Sequence, residues 1–143
     1  MIKFYIPSGL KRAVIERANG YCEYCKCPVD WSPEIFEVEH IQPLGAGGAT
    51  DLTNLAYVCP ACNRYKRNRQ TAEDPETAQE IELFNPRLHV WQEHFGWSTD
   101  FLLIQGLTPT GRATVIAFKM NRRSVQRFRQ ALIAVNAHPG IDK

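Results

Sequence analysis

Cys22-Glu23-Tyr24-Cys25 and Cys59-Pro60-Ala61-Cys62-Asn63-Arg64-Tyr65-Lys66 bracket a segment whose centre is Ile35-Phe36-Glu37-Val38-Glu39-His40-Ile41-Gln42-Pro43. Each Cys-x-x-Cys leaves two residues between its thiols, a spacing at which both sulfurs reach one ion at about 2.3 Å. Two such pairs complete a tetrahedron. Cys22, Cys25, Cys59 and Cys62 therefore predict a closed, structural Zn²⁺ site with no position left for substrate. Ordinary buried thiols or a redox pair would not explain two equally spaced pairs. Cys27 could replace Cys25 as a ligand, but Cys22-x-x-Cys25 mirrors the second pair and is preferred, which leaves Cys27 as the remainder.

Outward from the thiols, the pattern mixes helix and strand. Leu10, Val14 and Ala18 recur at i, i+4 and i+8 and predict a helix over 8–18, with Ser8 as N-cap and Asn19-Gly20 as its stop. Residues 35–41 alternate in part and favour strand, and Leu55-Ala56-Tyr57-Val58 predicts a second strand. Between them, residues 42–53 hold Pro43, Gly45, Gly47 and Gly48, so a long irregular loop is expected there. A helix is expected over 61–69. The stretch around Asp74-Pro75-Glu76 suits either a linker or a short surface helix. Residues 87–95 and 101–107 flank Gly96-Trp97-Ser98-Thr99-Asp100 as a hairpin. Thr110 would cap a helix bearing Ala113, Ile116, Ala117 and Met120, and a last helix would place Val125, Phe128, Leu132 and Val135 on one face.

The expected fold class is α+β, in two parts. Residues 1–70 form the core and residues 71–143 a hairpin-and-helix extension packed on it, since the latter looks short for a core of its own. The whole is 143 residues and 16.3 kDa, the size of one ordinary domain. There is no signal-like N-terminal segment and no bilayer-length apolar run. A cytoplasmic protein without membrane contact follows as the expectation, and thiols in such a compartment bind metal more readily than they form disulfides.

The formal net charge of +2 excludes a uniformly basic coat protein, but it conceals segregation. Arg64, Lys66, Arg67 and Arg69 cluster without an acid; Glu73, Asp74, Glu76, Glu80 and Glu82 follow without a base. Lys119, Arg122, Arg123, Arg127 and Arg129 form a second basic group. Each cluster suits a solvated helix face or a surface facing phosphates, and charge alone leaves both open.

Chemistry is expected between the thiol pairs. Glu39 offers a carboxylate oxygen and Asn63 an amide oxygen, hard ligands suited to Mg²⁺ or Mn²⁺. His40, when neutral, can accept a proton from water. Each residue alone is weak evidence; their joint placement beside a zinc frame is what matters. His89 and His94 around Trp91 read as structural histidines in an aromatic core, and His138 before Pro139-Gly140 as a surface turn.

Taken together, Glu39-His40-Ile41-x-Pro43, Gly47-Gly48, Asn54-Leu55 and Cys59-x-x-Cys62-Asn63-x-x-Lys66 resemble the HNH nucleases, whose core is the ββα-metal or His-Me finger fold. Cys22-Glu23-Tyr24-Cys25 after an N-terminal helix resembles the zinc-knuckle subgroup. The resemblance covers about residues 9–70, and the remainder looks like an extension seen in some bacterial HNH proteins. It implies that His40 is the general base and that Asn54 orders the loop and helps orient that base. It also implies that Glu39 and Asn63 hold the catalytic Mg²⁺ or Mn²⁺, and that Arg64, Lys66, Arg67 and Arg69 grip DNA. Glu39 stands where the family usually has Asp, and Asn63 where many members have His, a change that favours a hard ion over Zn²⁺. The implied activity is hydrolysis of double-stranded DNA by a one-metal mechanism. The alternative is a zinc-stabilised DNA-binding module that does not cut. Neither target specificity nor a monomer or dimer follows from these residues.

Overall fold

The computed structural model describes residues 5–140, so the first four and last three residues of the two expected parts lie outside the described residues. The chain divides into two compact units, Met1–Asn63 and Arg64–Lys143. No helix among the described residues is long and apolar enough to cross a membrane. The class is mixed α+β.

In the first unit, helix α1 spans Ser8–Ala18. It is entered from Pro7 without a side-chain cap, so Ser8 lies inside the helix and not at the expected N-cap position. The stop is as expected: Asn19 sits in the left-handed region at φ 56, a conformation Asn tolerates because its short polar side chain bonds locally. Val14 on α1 packs with Ile6 and Leu55, flanked by Leu10, Val38 and Tyr57, into a small apolar cluster. Arg17 closes the helix against the sheet by donating to the carbonyls of Leu52 and Leu55, both at 2.7 Å.

Strands β1 (Glu37–His40) and β2 (Leu55–Val58) pair antiparallel, with Glu39 opposite Ala56 and His40 opposite Leu55. β1 is thus shorter than the 35–41 run. The connection is the expected irregular loop, with one 3-10 turn at Leu44–Ala46. Helix α2 (Pro60–Lys66) follows β2 after a single residue and ends before Arg67, whose φ of 54 breaks it short of residue 69.

The second unit departs further from the pattern. Residues 73–82 are neither linker nor helix: β3 (Thr71–Glu73) and β4 (Glu80–Glu82) form an antiparallel hairpin. Asp74 is the cause. Its carboxylate, 0% exposed, accepts the Glu76 N–H at 3.1 Å and the Thr77 hydroxyl at 3.0 Å, building the turn from inside. Arg112 then donates to both carboxylate oxygens, at 3.0 and 2.8 Å. A charge run that looks solvated from sequence is thereby anchored to a buried ion pair. The guanidinium holds the Asp74 carboxyl at about 2.

Helix α3 is a single turn, Trp91–His94, where a hairpin arm was expected; only β5 (Phe95–Trp97) and β6 (Ile104–Gly106) pair. Helix α4 (Pro109–Ala117) is capped by Thr108, which accepts the Gly111 N–H at 3.0 Å, and not by Thr110. Proline at the first helical position makes Thr108 the natural cap. Thr110 is buried one step inside, its carbonyl accepting from the Thr114 hydroxyl at 2.7 Å. Of the expected α4 face, Ala113 and Met120 are buried whereas Ile116 is 60% exposed.

The run Gly106-Leu-Thr-Pro-Thr-Gly111 has a packing reason. A Cβ on Gly111 would lie 2.0 Å from the His94 carbonyl oxygen, and one on Gly106 would lie 2.4 Å from the Arg112 nitrogen. Only glycine lets the start of α4 approach β6 this closely.

Helix α5 (Arg123–Ala134) buries Val125 and Leu132 as expected, while Val135 lies beyond its end and is 54% exposed. Arg129 does not belong to a surface cluster. It is 4% exposed and donates to the carbonyls of Leu102 and Met120, both at 2.7 Å, with its guanidinium 5.2 Å from the Trp97 ring centroid. His138 is likewise buried and not a surface turn; its ring meets Trp97 edge-on at 4.6 Å. His89 and His94 lie 4.9 Å apart, both against Phe84, as structural histidines.

Candidate active site and thiol cluster

The four thiols converge. Cys22, Cys25, Cys59 and Cys62 are all buried, and their sulfurs lie within 4.8 Å of one another; Cys27 is outside the cluster. A regular tetrahedron with sulfur about 2.3 Å from its centre has edges of about 3.8 Å. The Cys25 and Cys59 sulfurs stand 3.7 Å apart, close to that edge. Contact with Cys22 is the foremost influence on the other three thiols, pushing Cys25 and Cys62 up and drawing Cys59 down. Crowded, dry sulfurs of this kind resist sharing negative charge without a cation among them. The donor set fits a structural Zn²⁺.

Local geometry explains how the first pair turns. The Lys26 N–H donates to the Cys22 carbonyl at 3.0 Å and the Cys22 N–H to the Cys27 carbonyl at 2.9 Å, with Lys26 left-handed at φ 63. Glu23, which composition alone would place in solvent, is 8% exposed. It joins the turn to β2 reciprocally: its N–H donates to the Tyr57 carbonyl at 3.0 Å, and its carboxylate accepts the Tyr57 N–H at 2.8 Å. Nothing in the sequence signals this second fastening beyond its place between two ligands.

The second feature sits at the other end of the hairpin. Glu39 and Asn63, 24 residues apart, meet side chain to side chain, with Asn63 Nδ2 donating to Glu39 Oε1 at 3.2 Å. The next residue, His40, ends β1 and places Nε2 2.9 Å from the Thr50 hydroxyl. Partial burial lowers its pKa and so favours the neutral imidazole. In the tautomer that donates Nε2–H to Thr50, Nδ1 carries the lone pair that can take a proton.

The Asn54 side chain hydrogen-bonds to neither group. It is 9% exposed and straps the loop: Oδ1 accepts the Gln42 N–H at 2.8 Å, while Nδ2 donates to the Gln42 and Ala49 carbonyls, each at 2.9 Å. Gly48 is required for this strap, because a Cβ there would stand 1.9 Å from the Gln42 carbonyl oxygen and 2.7 Å from Asn54 Nδ2. The strap ends on Ala49, and the following residue is Thr50, the partner of His40. Thr50 is the residue that sequence reading missed; one hydroxyl among Gly, Ala and Asp in a loop carries no signal of where it points.

Of the four basic residues expected to meet DNA, Arg64, Arg67 and Arg69 are exposed. Lys66 is 7% exposed and so differs from them in burial.

A two-stranded hairpin, a strapped loop and a following helix thus carry the four-thiol cluster together with the Glu39 carboxylate and His40 on β1 and the Asn63 amide on α2. Residues 22–69 match the HNH endonuclease family. The chain is also similar to the Septu protein PtuB of Bacillus thuringiensis, at 24% identity over 136 residues, covering 94% of this chain and 49% of the relative. It is 33% identical over 75 residues to the type IV methyl-directed restriction enzyme EcoKMcrA of Escherichia coli strain K12, covering 46% of this chain and 27% of that enzyme. The chain thus spans about half, or less, of the length of these curated relatives.

Proposed function

We propose that this chain hydrolyses DNA phosphodiester bonds, with His40 as general base and Glu39 with Asn63 as ligands of one Mg²⁺ or Mn²⁺ ion. The observation that carries the reading is the Glu39–Asn63 contact at 3.2 Å, with His40 next to it and held at 2.9 Å by Thr50. Strand and helix bring an acid and an amide together, and the next residue along the strand is His40. A carboxylate and an amide oxygen suit a hard divalent ion, which supplies Lewis-acid stabilisation of charge on the phosphate and the departing oxygen. His40 Nδ1 takes the proton from the attacking water, and Thr50 fixes the ring by accepting Nε2–H. Asn54 acts as a positioning residue, holding the loop that carries Thr50. Arg64, Arg67 and Arg69 offer exposed charge to the backbone, and Lys66 adds its charge from a largely buried position.

The match of residues 22–69 to a nuclease family supports the reaction class, and the restriction enzyme among the relatives supports DNA as substrate. The decisive experiment is cleavage of supercoiled plasmid with Mg²⁺, with Mn²⁺ and with neither, comparing the parent protein with His40→Ala. Loss of a general base costs about 10²–10⁴ in rate. A folded, zinc-loaded His40→Ala protein that cuts as fast as its parent would remove His40 from the mechanism. Salt-sensitive DNA binding without nicking in either metal would instead leave the non-cleaving binding module standing.

A further inference from the structure

Two basic segments fifty residues apart in sequence are one surface in the second unit. Tyr65 is where they meet. The Arg64 guanidinium lies 5.5 Å from the Tyr65 ring centroid, and the Lys119 ammonium lies 5.2 Å from the same centroid. Arg69 reaches the same region, donating to the Tyr65 carbonyl at 2.5 Å and to the Ala117 carbonyl at 3.2 Å. Arg122 extends it by donating to the Lys119 carbonyl at 3.2 Å. The end of α2 and the turn after α4 are thereby stitched together through cations.

Among the described residues, Arg64, Arg69, Lys119 and Arg122 make no ion pair with a carboxylate. Five acids of the same unit are engaged elsewhere: Asp74 and Glu76 with Arg112, Glu82 with His89, Glu80 with the Thr71 hydroxyl, and Asp100 with the Ser98 hydroxyl. A ring quadrupole attracts each cation but does not cancel its charge, so two cations on one ring still repel. An external polyanion relieves that repulsion; a merely solvated helix face gives no reason to gather cations from separate elements onto one aromatic.

We infer that Tyr65, Arg64, Arg69, Lys119 and Arg122 form a single backbone-binding platform for duplex DNA, adding Lys119 and Arg122 of the extension to the substrate contact. The inference takes the identity of the polyanion from the proposed DNA cleavage. Its ligand chemistry is the phosphodiester backbone, without base readout.

The test measures binding of a labelled duplex of about 20 base pairs to the full zinc-loaded chain across a salt series, with Ca²⁺ in place of Mg²⁺. Each phosphate contact contributes about 0.9 to the slope of log K against log salt on duplex DNA. Lys119→Gln with Arg122→Gln should therefore flatten the slope by about 1.8. Lys11→Gln with Arg12→Gln, which removes two exposed charges from α1, should leave it unchanged. An unchanged slope in the first pair, or an equal loss in both, overturns the platform, as does an equal effect on a single strand of the same length. Tyr65→Leu is a second probe: it keeps the charges but removes the ring that gathers them, and weaker binding at low salt is expected. Plasmid cleavage by the parent separates the two readings. Binding with the expected slope change but no cleavage leaves the platform and removes the nuclease; cleavage with an unaltered slope does the reverse.

Discussion

The two units of this chain reach stability by different routes. Met1–Asn63 has a small apolar cluster, with Ile6, Val14 and Leu55 at its centre, and depends on four converging thiols for the rest. Arg64–Lys143 has no such cluster among its described residues. It buries Trp91, Phe95, Phe118 and Leu132 around polar anchors: the Asp74–Arg112 pair, Arg129 on three acceptors, and Thr114 between Thr110 and Phe84. A metal-dependent unit folds or unfolds with its ion, because binding energy is folding energy when no site exists in the unfolded chain. A unit built on packed hydrophobics and internally paired polar anchors has no such switch.

Removal of zinc is the strongest way to break the comparison. Chelation should unfold the first unit outright, since apparent binding energies of roughly 10–16 kcal/mol are typical of small four-ligand zinc domains. The second unit should keep its protected amides. Hydrogen exchange read unit by unit checks this, and equal loss of protection in both would show that the thiols do not divide the molecule.

The converse lesion is Asp74→Asn, which leaves Arg112 short of its buried partner. Breaking a buried ion pair is among the costlier single changes, and a fall in melting temperature of the second unit on the order of 10 °C is expected. Acid provides an independent check. The Asp74 carboxyl is lowered from 3.8 to about 2 by Arg112, so its stabilisation is complete above the unfolded value and lost as pH falls through about 2. Zinc thiolates protonate under milder acid, so the first unit should open at higher pH than the second. In Asp74→Asn the second unit's transition should lose its steep step near pH 2.

Smaller effects sharpen the picture within the first unit. Gly48→Ala places a methyl 1.9 Å from the Gln42 carbonyl oxygen, so the loop must shift. A cost of about 1–3 kcal/mol is expected, with plasmid cleavage falling while zinc content is unchanged. Thr50→Val removes the hydroxyl from His40 Nε2. One neutral hydrogen bond is worth about 1 kcal/mol, so the cleavage rate should fall roughly fivefold and be restored by Thr50→Ser. Equal rates in Val and Ser variants would show that Thr50 does not position the base.

Spacing made the site legible. Cys-x-x-Cys twice, Glu39 next to His40, and Asn63 directly after Cys62 are local patterns, and local patterns fix which atoms share a turn or a strand end. Leu55–Val58 was equally plain, because a short β-rich run between a glycine-rich loop and a cysteine has few other conformations. The acidic hairpin was not. Glu73, Asp74 and Glu76 look solvated in any window, and what orders them is Arg112, thirty-eight residues away. The same distance problem hid Glu23, whose partner is Tyr57, and Thr50, whose partner lies ten residues back across a loop.

By itself, then, the sequence determined the four-thiol cluster and the order of β1, β2 and α2, and it named the candidates for chemistry, since each depends on neighbours a few residues apart. Tertiary structure alone decided which charges are surface and which are framework. Arg129 and Lys66 carry the same formal charge as Arg64 and Lys119, yet the first two are buried and the second two are exposed. Desolvation separates them: a guanidinium can leave water only where carbonyls replace it, and Leu102 and Met120 supply those carbonyls to Arg129 only once the chain has folded around them.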